Sequence, residues 1–307
     1  HEIFDVYQEH EIIELFPDIL KNPLQAAKVD LWETEEIRVR AGQCLSVRVR
    51  GREWRLEVCY TVEEIRQILS YLANYSLYAY EREIRQGYLT LPGGHRLGLV
   101  GRAVLEGDRI TSLTEISALN LRLAHEKKGC ADSVISCLWE QDNLCDTLVV
   151  SPPGGGKTTL LRDCIRQISD GTKEHRGRTV GVVDERSEIA GCCRGVPEND
   201  VGMRTDVLDG CPKTLGMRML LRSMAPEVLA VDEIGSEEDV REIQYAANCG
   251  CTVFATVHGG SLDALQNQPN LRKLLETGAF QRLLFLEGRD APGRIRQVTD
   301  HRGTVLC

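Results

Sequence analysis

The sequence predicts an α/β protein of two domains, and three observations support this fold class. Residues 147–170 form an apolar strand, a glycine-rich loop and an amphipathic helix in direct succession. The rest of the second half repeats strand-then-helix units, which is typical of a parallel sheet covered by helices. The first half contains strands with alternating polar and apolar residues, as in a half-exposed antiparallel sheet. A length of 307 residues fits two domains of ordinary size.

The first 128 residues are predicted to form the smaller domain, of the α+β type. Short helices are expected within residues 1–30, and a capping box from Thr61 to Glu64 begins a further helix. Residues 77–86 are predicted to continue as helix. Strands are predicted at residues 36–40, 44–49, 54–58, 88–91, 96–105 and 116–124. Lys127, Lys128 and Gly129 are typical of a linker, which puts the domain boundary near residue 128.

The second domain, residues 129–307, is predicted to begin with a helix at 131–139 ahead of the first strand. Its further strand-like runs are residues 179–183, 228–231, 252–257 and 283–286. The first three of these runs end in polar side chains. Because ligands of open parallel sheets bind beyond the carboxyl ends of the strands, we expect these side chains to lie near the glycine-rich loop.

The glycine-rich loop has the pattern of a phosphate-binding P-loop. Glycines allow backbone N–H groups to face a polyphosphate, and the N-terminus of the following helix adds partial positive charge. We expect Lys157 to bridge phosphate oxygens and the Thr158 hydroxyl to bind Mg²⁺. The residues predicted to bind the nucleotide are Pro153, Gly154, Gly155, Gly156, Lys157, Thr158 and Thr159. The predicted cofactors are therefore ATP and Mg²⁺, although Ser151 stands where the usual pattern has a glycine.

A second nucleotide motif follows the strand at residues 228–231. Asp232 and Glu233 end this strand in the Walker B arrangement. Asp232 is expected to hold Mg²⁺ through water, and Glu233 to act as the general base on the attacking water. The alternative interpretation is a strand end that carries two solvated acidic side chains.

Two other strand ends supply further candidates. Asp184, Glu185 and Glu188 follow the strand at residues 179–183, and a Mg²⁺-bound triphosphate would balance their charge. We therefore predict Asp184 as a metal ligand and the two glutamates as catalytic candidates. His258 follows the strand at residues 252–257 and is predicted to sense the γ-phosphate. A solvated turn and a structural histidine are the alternatives.

These motifs occur in the order found in the secretion ATPases, the motors of type II and type IV secretion and of pilus retraction. Residues 183–188 resemble the acidic box of that family, and residues 256–258 resemble the end of its histidine box. Residues 36–56 and 96–122 are similar to its N-terminal domain. Two stretches, 88–104 and 180–209, resemble more narrowly the ATPases associated with the mother-cell-to-forespore channel of endospore-forming bacteria. The chain departs from the family at Cys251, where the first box histidine would fall.

The resemblance implies a RecA-like P-loop ATPase domain that works within a ring, hexameric in the related motors. Arginines of the N-terminal domain approach the nucleotide in such rings, and the matching stretches contain Arg96, Arg102 and Arg122. No arginine of the second domain lies in a stretch that predicts a phosphate contact. The resemblance further implies a motor that docks from the cytoplasm, on the mother-cell side. Its partners would be membrane-embedded secretion or channel proteins of the sporulation apparatus.

Composition narrows the classes of partner and site. A net charge of −9 weighs against duplex nucleic acid as the main ligand, so no nucleic-acid partner is expected. No apolar run approaches the ~20 residues that span a bilayer, and no secretory signal is visible. The twelve cysteines include no C-x₂-C pair, which weighs against a zinc site. We expect them to be reduced and to pack as small buried hydrophobic residues.

Three other functions stay open at this point. A RecA-like nucleic-acid motor would be stimulated by DNA or RNA. A nucleotide-dependent scaffold would bind ATP and organise partners with negligible turnover, although Glu233 argues against it. A small-molecule kinase would need a pocket for the phosphate acceptor, and no motif in the sequence indicates one.

Overall fold

The structure is a computed structural model that describes residues 12–74, 87–288 and 291–306. The chain divides into two compact units, His1–His125 and Glu126–Cys307. The helix expected at residues 77–86 lies outside the described residues. Of residues 1–30, where short helices were expected, the first eleven also lie outside them. No helix in the described ranges is long and apolar enough to cross a membrane.

The first unit is built on an antiparallel sheet of six strands. Its helices are α1 (Asp18–Ala26) and α2 (Val62–Leu72). Its strands are β1 (Thr34–Arg40), β2 (Cys44–Val49), β3 (Arg52–Cys59), β4 (Tyr88–Thr90), β5 (Arg96–Glu106) and β6 (Arg109–Arg122). The strand order is β3-β2-β1-β6-β5-β4, and every neighbouring pair is antiparallel.

Alternation of side chains gives this sheet one buried face. Ile37 and Val39 of β1 are buried, and so is Val47 of the neighbouring strand. The helix α2 begins with the predicted capping box: the Thr61 hydroxyl accepts the Glu64 N–H at 3.2 Å, and the Glu64 carboxylate accepts the Thr61 N–H at 2.7 Å. The buried face of α2 completes a single hydrophobic cluster with the sheet.

The second unit is built on a seven-stranded sheet that is parallel except at one edge. Its larger strands are β9 (Thr147–Ser151), β10 (Val180–Asp184), β11 (Thr205–Asp209), β12 (Val228–Val231), β13 (Thr252–His258), β14 (Arg282–Leu286) and β15 (Ile295–Thr299). Its helices are α3 (Lys157–Asp170), α4 (Lys213–Ser223), α5 (Glu237–Asn248), α6 (Leu262–Gln266) and α7 (Pro269–Glu276).

The strand order of this sheet is β11-β10-β12-β13-β9-β14-β15, with only β14 and β15 antiparallel. Its central strands are buried over their whole length, as is expected for strands covered on both faces. The strand β13 lies between β9, which precedes the P-loop, and β12, which precedes Asp232. The predicted fold class is confirmed.

The helix predicted at residues 131–139 is wrong. The chain instead turns at 131–134, forms a 3₁₀ helix at Ile135–Leu138 and enters the short strand β7 (Trp139–Glu140), which pairs with β8 (Asn143–Leu144). The Ala131 N–H donates to the buried Asp163 carboxylate at 2.8 Å rather than starting a helix. The Trp139 ring stacks on His175 with centroids 4.0 Å apart. These tertiary contacts outweigh the local apolar spacing on which the prediction depended.

The cysteines follow the expected burial only in part. Four of them lie in the core of the second unit: Cys145, Cys164, Cys192 and Cys251. Burial raises the pKa of the Cys192 and Cys251 thiols to about 12, so they stay protonated at neutral pH. Others are exposed, namely Cys44, Cys59 and Cys249. Cys137 also differs from the expectation, since its sulfur is in a disulfide bond.

Candidate nucleotide site

The P-loop between β9 and α3 has glycines where other residues would not fit. Gly154 and Gly156 have φ angles of +77° and +86°, in the left-handed region that favours glycine. A Cβ at Gly155 would collide with the Ser151 hydroxyl. The helix α3 begins at Lys157, so its partially positive end lies at the loop. This backbone has the form of an anion-binding cradle.

A segment that sequence reasoning missed packs against the same loop. The Gly293 N–H donates to the Gly155 carbonyl at 2.8 Å. A Cβ at Gly156 would lie 2.5 Å from the Gly293 nitrogen, so this approach also requires glycine. The Pro292-Gly293 pair was the available signal, but a turn between two strands is its ordinary meaning.

The ends of three strands bring the Walker A and Walker B residues together. The Thr158 hydroxyl lies 2.8 Å from Asp232 Oδ2. The Thr256 hydroxyl donates to the other oxygen of Asp232. Thr256 is fully buried in β13, which pairs with both β9 and β12. The interposed strand therefore fixes the distance between the P-loop and the Walker B acid.

Glu233 lies at the centre of a group of basic side chains. Its Oε1 is 3.6 Å from Lys157 Nζ and also contacts His258 Nε2. Its Oε2 is 2.7 Å from Arg186 Nη1. Burial opposes ionisation of Glu233, but Lys157, His258 and Arg186 outweigh it and hold the pKa of this carboxyl below its ordinary value. The carboxylate is therefore charged at neutral pH and occupies the space between these basic side chains.

Two basic residues of this group were not predicted from the sequence. Arg186 is in the loop after β10, and Lys213 is the first residue of α4. Lys213 Nζ donates to the Glu233 carbonyl at 2.6 Å. Arg186 lies within the acidic box at residues 183–188 but was not singled out there, and Lys213 belongs to no motif, since no helix was predicted at α4. Their positions follow from the sheet order, which places the loops after β10 and β11 beside the end of β12.

Asp184 ends β10, as predicted, and its role as a metal ligand stays a prediction. Its carboxylate is 2% exposed and accepts the backbone N–H groups of Glu188, Ile189 and Ala190 at 2.8–3.0 Å. Burial raises the pKa of Asp184 despite these three bonds. In this structure the carboxylate organises the loop after β10, and no contact with Thr158 or Asp232 is among those of the described residues.

The other acidic candidates lie at the edge of the group. Glu185 Oε2 is 3.6 Å from Lys213 Nζ, and its side chain is 42% exposed. Glu188 has an exposed side chain, while its carbonyl accepts a bond from Arg162 at 2.7 Å. Pro153 is exposed in the loop, and Thr159 lies partly buried in the first turn of α3. The Glu233 carboxylate is thus the candidate base that contacts Lys157 and His258.

The three candidate arginines of the first unit lie on β5 and β6. Arg96 and Arg122 are directly opposite each other, and the Arg96 guanidinium lies 4.3 Å from the centre of the Tyr88 ring. Arg122 Nε is 3.9 Å from Glu36 Oε1, and Arg102 Nη1 is 3.7 Å from Glu115 Oε2. Arg102 and Arg122 are exposed. Their contact with a nucleotide stays a prediction.

The site fits a magnesium nucleotide by its donor set. The loop glycines leave the space that a Cβ would fill, and Lys157 supplies a cation beside it. The hydroxyl of Thr158 and the carboxylate of Asp232 are oxygen ligands of the kind Mg²⁺ prefers, usually together with phosphate oxygens. The described residues contain no group of three or more histidine, cysteine or acidic side chains that could hold a metal alone. A cation here would depend on the nucleotide's own oxygens.

Comparison with known proteins places the chain in a family. A model of the family described as sporulation stage III, protein AA, matches residues 7–306. The chain belongs to this family. A curated member, stage III sporulation protein AA of Bacillus subtilis (strain 168), is 43% identical over 298 residues, which cover 97% of each protein. The narrower resemblance drawn from residues 88–104 and 180–209 is thereby confirmed.

Solved structures show that this chain shares a fold with a pilus retraction motor and with the ATPase DotB. The pilus retraction motor PilT with bound ADP has a TM-score of 0.61 at 18% identity, over 87% of this chain and 76% of PilT. The ATPase DotB of Legionella pneumophila has a TM-score of 0.58 at 16% identity, over 88% of this chain and 76% of DotB. At these identities the likeness is one of fold.

Proposed function

We propose that this chain is a Mg²⁺-dependent ATPase that works as a ring-shaped motor in endospore formation. The observation that carries the proposal is the meeting of Lys157, Thr158, Asp232 and Glu233 at one edge of the parallel sheet. These are the groups needed to bind a triphosphate, to hold its cation and to accept a proton from water. The fold shared with the pilus retraction motor PilT and the ATPase DotB supports the same conclusion.

The residues divide between binding and turnover. Lys157 and the loop N–H groups bind the phosphates, while Thr158 and Asp232 hold the cation. A bound Mg²⁺ would neutralise charge on the phosphate oxygens. Glu233 accepts the proton of the attacking water, and His258 contacts its carboxylate and orients it. Glu185 and Glu188 are secondary candidates for the base, and Asp184 supports the loop that bears them.

The assembly and location are part of the proposal. By the resemblance to the secretion motors, the chain forms a ring, hexameric by analogy, that docks from the cytoplasmic mother-cell side on membrane-embedded channel proteins. The sporulation family and the fold shared with a pilus retraction motor are consistent with such a role. In such a ring Arg96, Arg102 or Arg122 of one copy would face the nucleotide of another. A scaffold that binds ATP without turnover is the second candidate, and the charged Glu233 beside Lys157 weighs against it.

The test compares ATP binding with phosphate release in the full chain. We expect the unaltered protein to bind MgATP and to release phosphate. Lys157→Ala should abolish tight binding, because a fixed cation and a phosphate donor disappear together. ATP binding at unaltered affinity in Lys157→Ala would contradict the site. Binding without phosphate release from assembled, unaltered protein would instead favour the scaffold, and stimulation by DNA or RNA would favour a nucleic-acid motor.

A further inference from the structure

We propose that Lys213 is a positioning residue, whose ammonium group holds the backbone of Glu233 in the conformation that directs its carboxylate toward Lys157 and His258. The inference rests on the proposed function, since Glu233 matters as a base only if the chain hydrolyses ATP. Lys213 belongs to none of the nucleotide motifs. It lies at the start of α4 and contacts the carbonyl of Glu233, which follows the Walker B strand.

The backbone of Glu233 is in a conformation that needs support. Its φ angle is +58°, in the left-handed region that is unfavourable for a residue with a Cβ. Such a conformation persists where surrounding contacts determine it, and it is concentrated at functional sites. Here it turns the chain sharply just after β12 and directs the Glu233 side chain to the P-loop lysine. With an ordinary φ the carboxylate would leave this position.

Both polar groups of the Glu233 backbone are held by side chains. Lys213 Nζ donates to its carbonyl oxygen at 2.6 Å, and its N–H donates to the Thr256 hydroxyl at 2.9 Å. The Thr256 hydroxyl also bonds to Asp232, so its place is fixed by the Walker B strand. Lys213 is the charged member of this pair of contacts, and hydrogen bonds from a charged donor are the stronger kind.

Lys213 is itself fixed by two carboxylates. Its Nζ is 3.6 Å from Glu185 Oε2 and 4.0 Å from Asp239 Oδ2, and its side chain is 18% exposed. Asp239 Oδ2 also accepts the N–H groups of Gly235 and Ser236 at 3.0 Å. The ammonium group therefore ties the turn at residues 233–236 to α4 and to the start of α5. Among the described residues, the ammonium group contacts this turn and these acids rather than the P-loop.

Loss of the Lys213 ammonium group should affect ATP hydrolysis rather than weaken ATP binding. Removing the ammonium group leaves the Glu233 carbonyl without its donor and allows the turn to relax toward an ordinary φ. The general base then moves, while Lys157, Thr158 and the loop glycines keep their places. We therefore expect loss of kcat without loss of ATP affinity, which is the behaviour of a group that acts on the transition state. ATP affinity should rise to the extent that the carboxylate leaves Lys157.

The first experiment compares Lys213→Met, Lys213→Arg and the control Lys173→Met in the full chain. Lys173 is an exposed lysine of the same unit. We expect Lys213→Met to lower kcat by about 10–100-fold, at or below the lower end of the ~10²–10⁴-fold that a general base contributes, with no weakening of the affinity for MgATP. Lys213→Arg should recover most of kcat because it keeps the charge and a donor. Thermal melting of each variant monitors folding.

A double-mutant cycle tests whether Lys213 acts through Glu233. In a Glu233→Gln background the base is absent, so Lys213→Met should lower kcat by less than about 2-fold further. An equal fall in both backgrounds would overturn the inference, because Lys213 would then act by another route. Unaltered kcat in Lys213→Met would overturn it too, as would a loss of ATP affinity equal to the loss of kcat.

A third measurement does not depend on turnover. The imidazole of His258 contacts the Glu233 carboxylate, so its NMR resonances report the position of that group. In nucleotide-free protein they should shift in Lys213→Met and keep their place in Lys173→Met. Unshifted resonances would contradict the positioning role. If the unaltered protein binds ATP without hydrolysing it, the proposed function fails, and these resonances still decide whether Lys213 positions Glu233.

Discussion

Replacing Glu233 by glutamine should tighten ATP binding while it stops hydrolysis. In the nucleotide-free site the Glu233 carboxylate lies between Lys157, Arg186 and His258. A triphosphate needs Lys157 and therefore competes with this carboxylate for its cation. The glutamine side chain has the same shape but no charge, so it releases the cations and cannot accept the proton of water.

The distance between the two charges sets the scale of the effect. Lys157 Nζ and Glu233 Oε1 are 3.6 Å apart. Coulomb's law at this distance gives about 1 kcal/mol in a water-like dielectric and about 4–5 kcal/mol at an effective dielectric of ~20. The side chains are 13% and 24% exposed, so solvent screens the pair in part. Since glutamine still contacts the cations by its carbonyl, we expect a net gain of about 1–2 kcal/mol, or about 5–30-fold in Kd.

Calorimetry with MgATP measures this change directly. The unaltered chain, Glu233→Gln and the control Glu238→Gln would be titrated at low and high ionic strength, with phosphate release followed in parallel. Glu238 is an exposed acid at the start of α5 and should behave as the unaltered chain. The gain in affinity should shrink at high salt because ions screen the Lys157 pair.

An equal or weaker affinity of Glu233→Gln for ATP would refute this reasoning. It would mean that the contact between Lys157 and the carboxylate does not compete with nucleotide. Near-normal phosphate release would refute the other half and would move the base to Glu185 or Glu188. The unaltered chain should also approach the affinity of the variant at acidic pH, once the pH falls below the lowered pKa of Glu233.

Three further predictions concern the two units and their stability. A fragment of residues 126–307 should bind ATP but hydrolyse it slowly. The activity of the full-length chain per subunit should rise with protein concentration. An alanine scan should then find a fall in kcat, without loss of ATP affinity, at one of Arg96, Arg102 and Arg122. Asp184→Ala should lower the free energy of unfolding by about 2–4 kcal/mol, because three backbone donors lose their acceptor, whereas the exposed Asp206→Ala should not in the same urea titration. Burial opposes ionisation of Glu227, but its two arginine partners lower its pKa to about 2. The contribution of this carboxylate to stability is therefore present above its ordinary pKa of about 4.3 and lost as the pH falls toward 2. The difference in urea midpoint between the unaltered chain and Glu227→Gln should shrink over that range.

The sequence alone predicted those parts of the site in which a local motif carries the functional residues. The P-loop, the Walker B acids and the strand ends of the second unit follow from apolar runs that end in polar residues. The predicted strands at residues 228–231 and 252–257 differ from the observed strands by one residue at most. The carboxyl ends of parallel strands share one edge, so these predictions also indicated which side chains would meet.

The residues that were missed depend on tertiary structure. Arg186, Lys213 and Gly293 come from three separate segments that no nucleotide motif singles out, and the sheet order brings them to the site. Asp184 was placed at the correct strand end, but the sequence could not show that a tight loop would turn its N–H groups onto the carboxylate. The region at 131–139 has helical spacing, yet contacts with Asp163 and His175 give it another form.

Arg186 changes what the fragment experiment can establish. The prediction of slow hydrolysis depended on arginines of the first unit, because no arginine of the second was assigned to the site. Arg186 now stands 2.7 Å from the Glu233 carboxylate in the unit that carries the P-loop. If nucleotide displaces that carboxylate from its cations, this guanidinium becomes available to phosphate oxygens within the same chain, as arginines supplied in cis are in some nucleotide hydrolases. Slow turnover by the fragment would then show that Arg186 is insufficient without a neighbouring copy. Rapid, concentration-independent turnover that Arg186→Ala abolishes would show that the catalytic cation is supplied in cis, and that a ring serves mechanical work rather than chemistry.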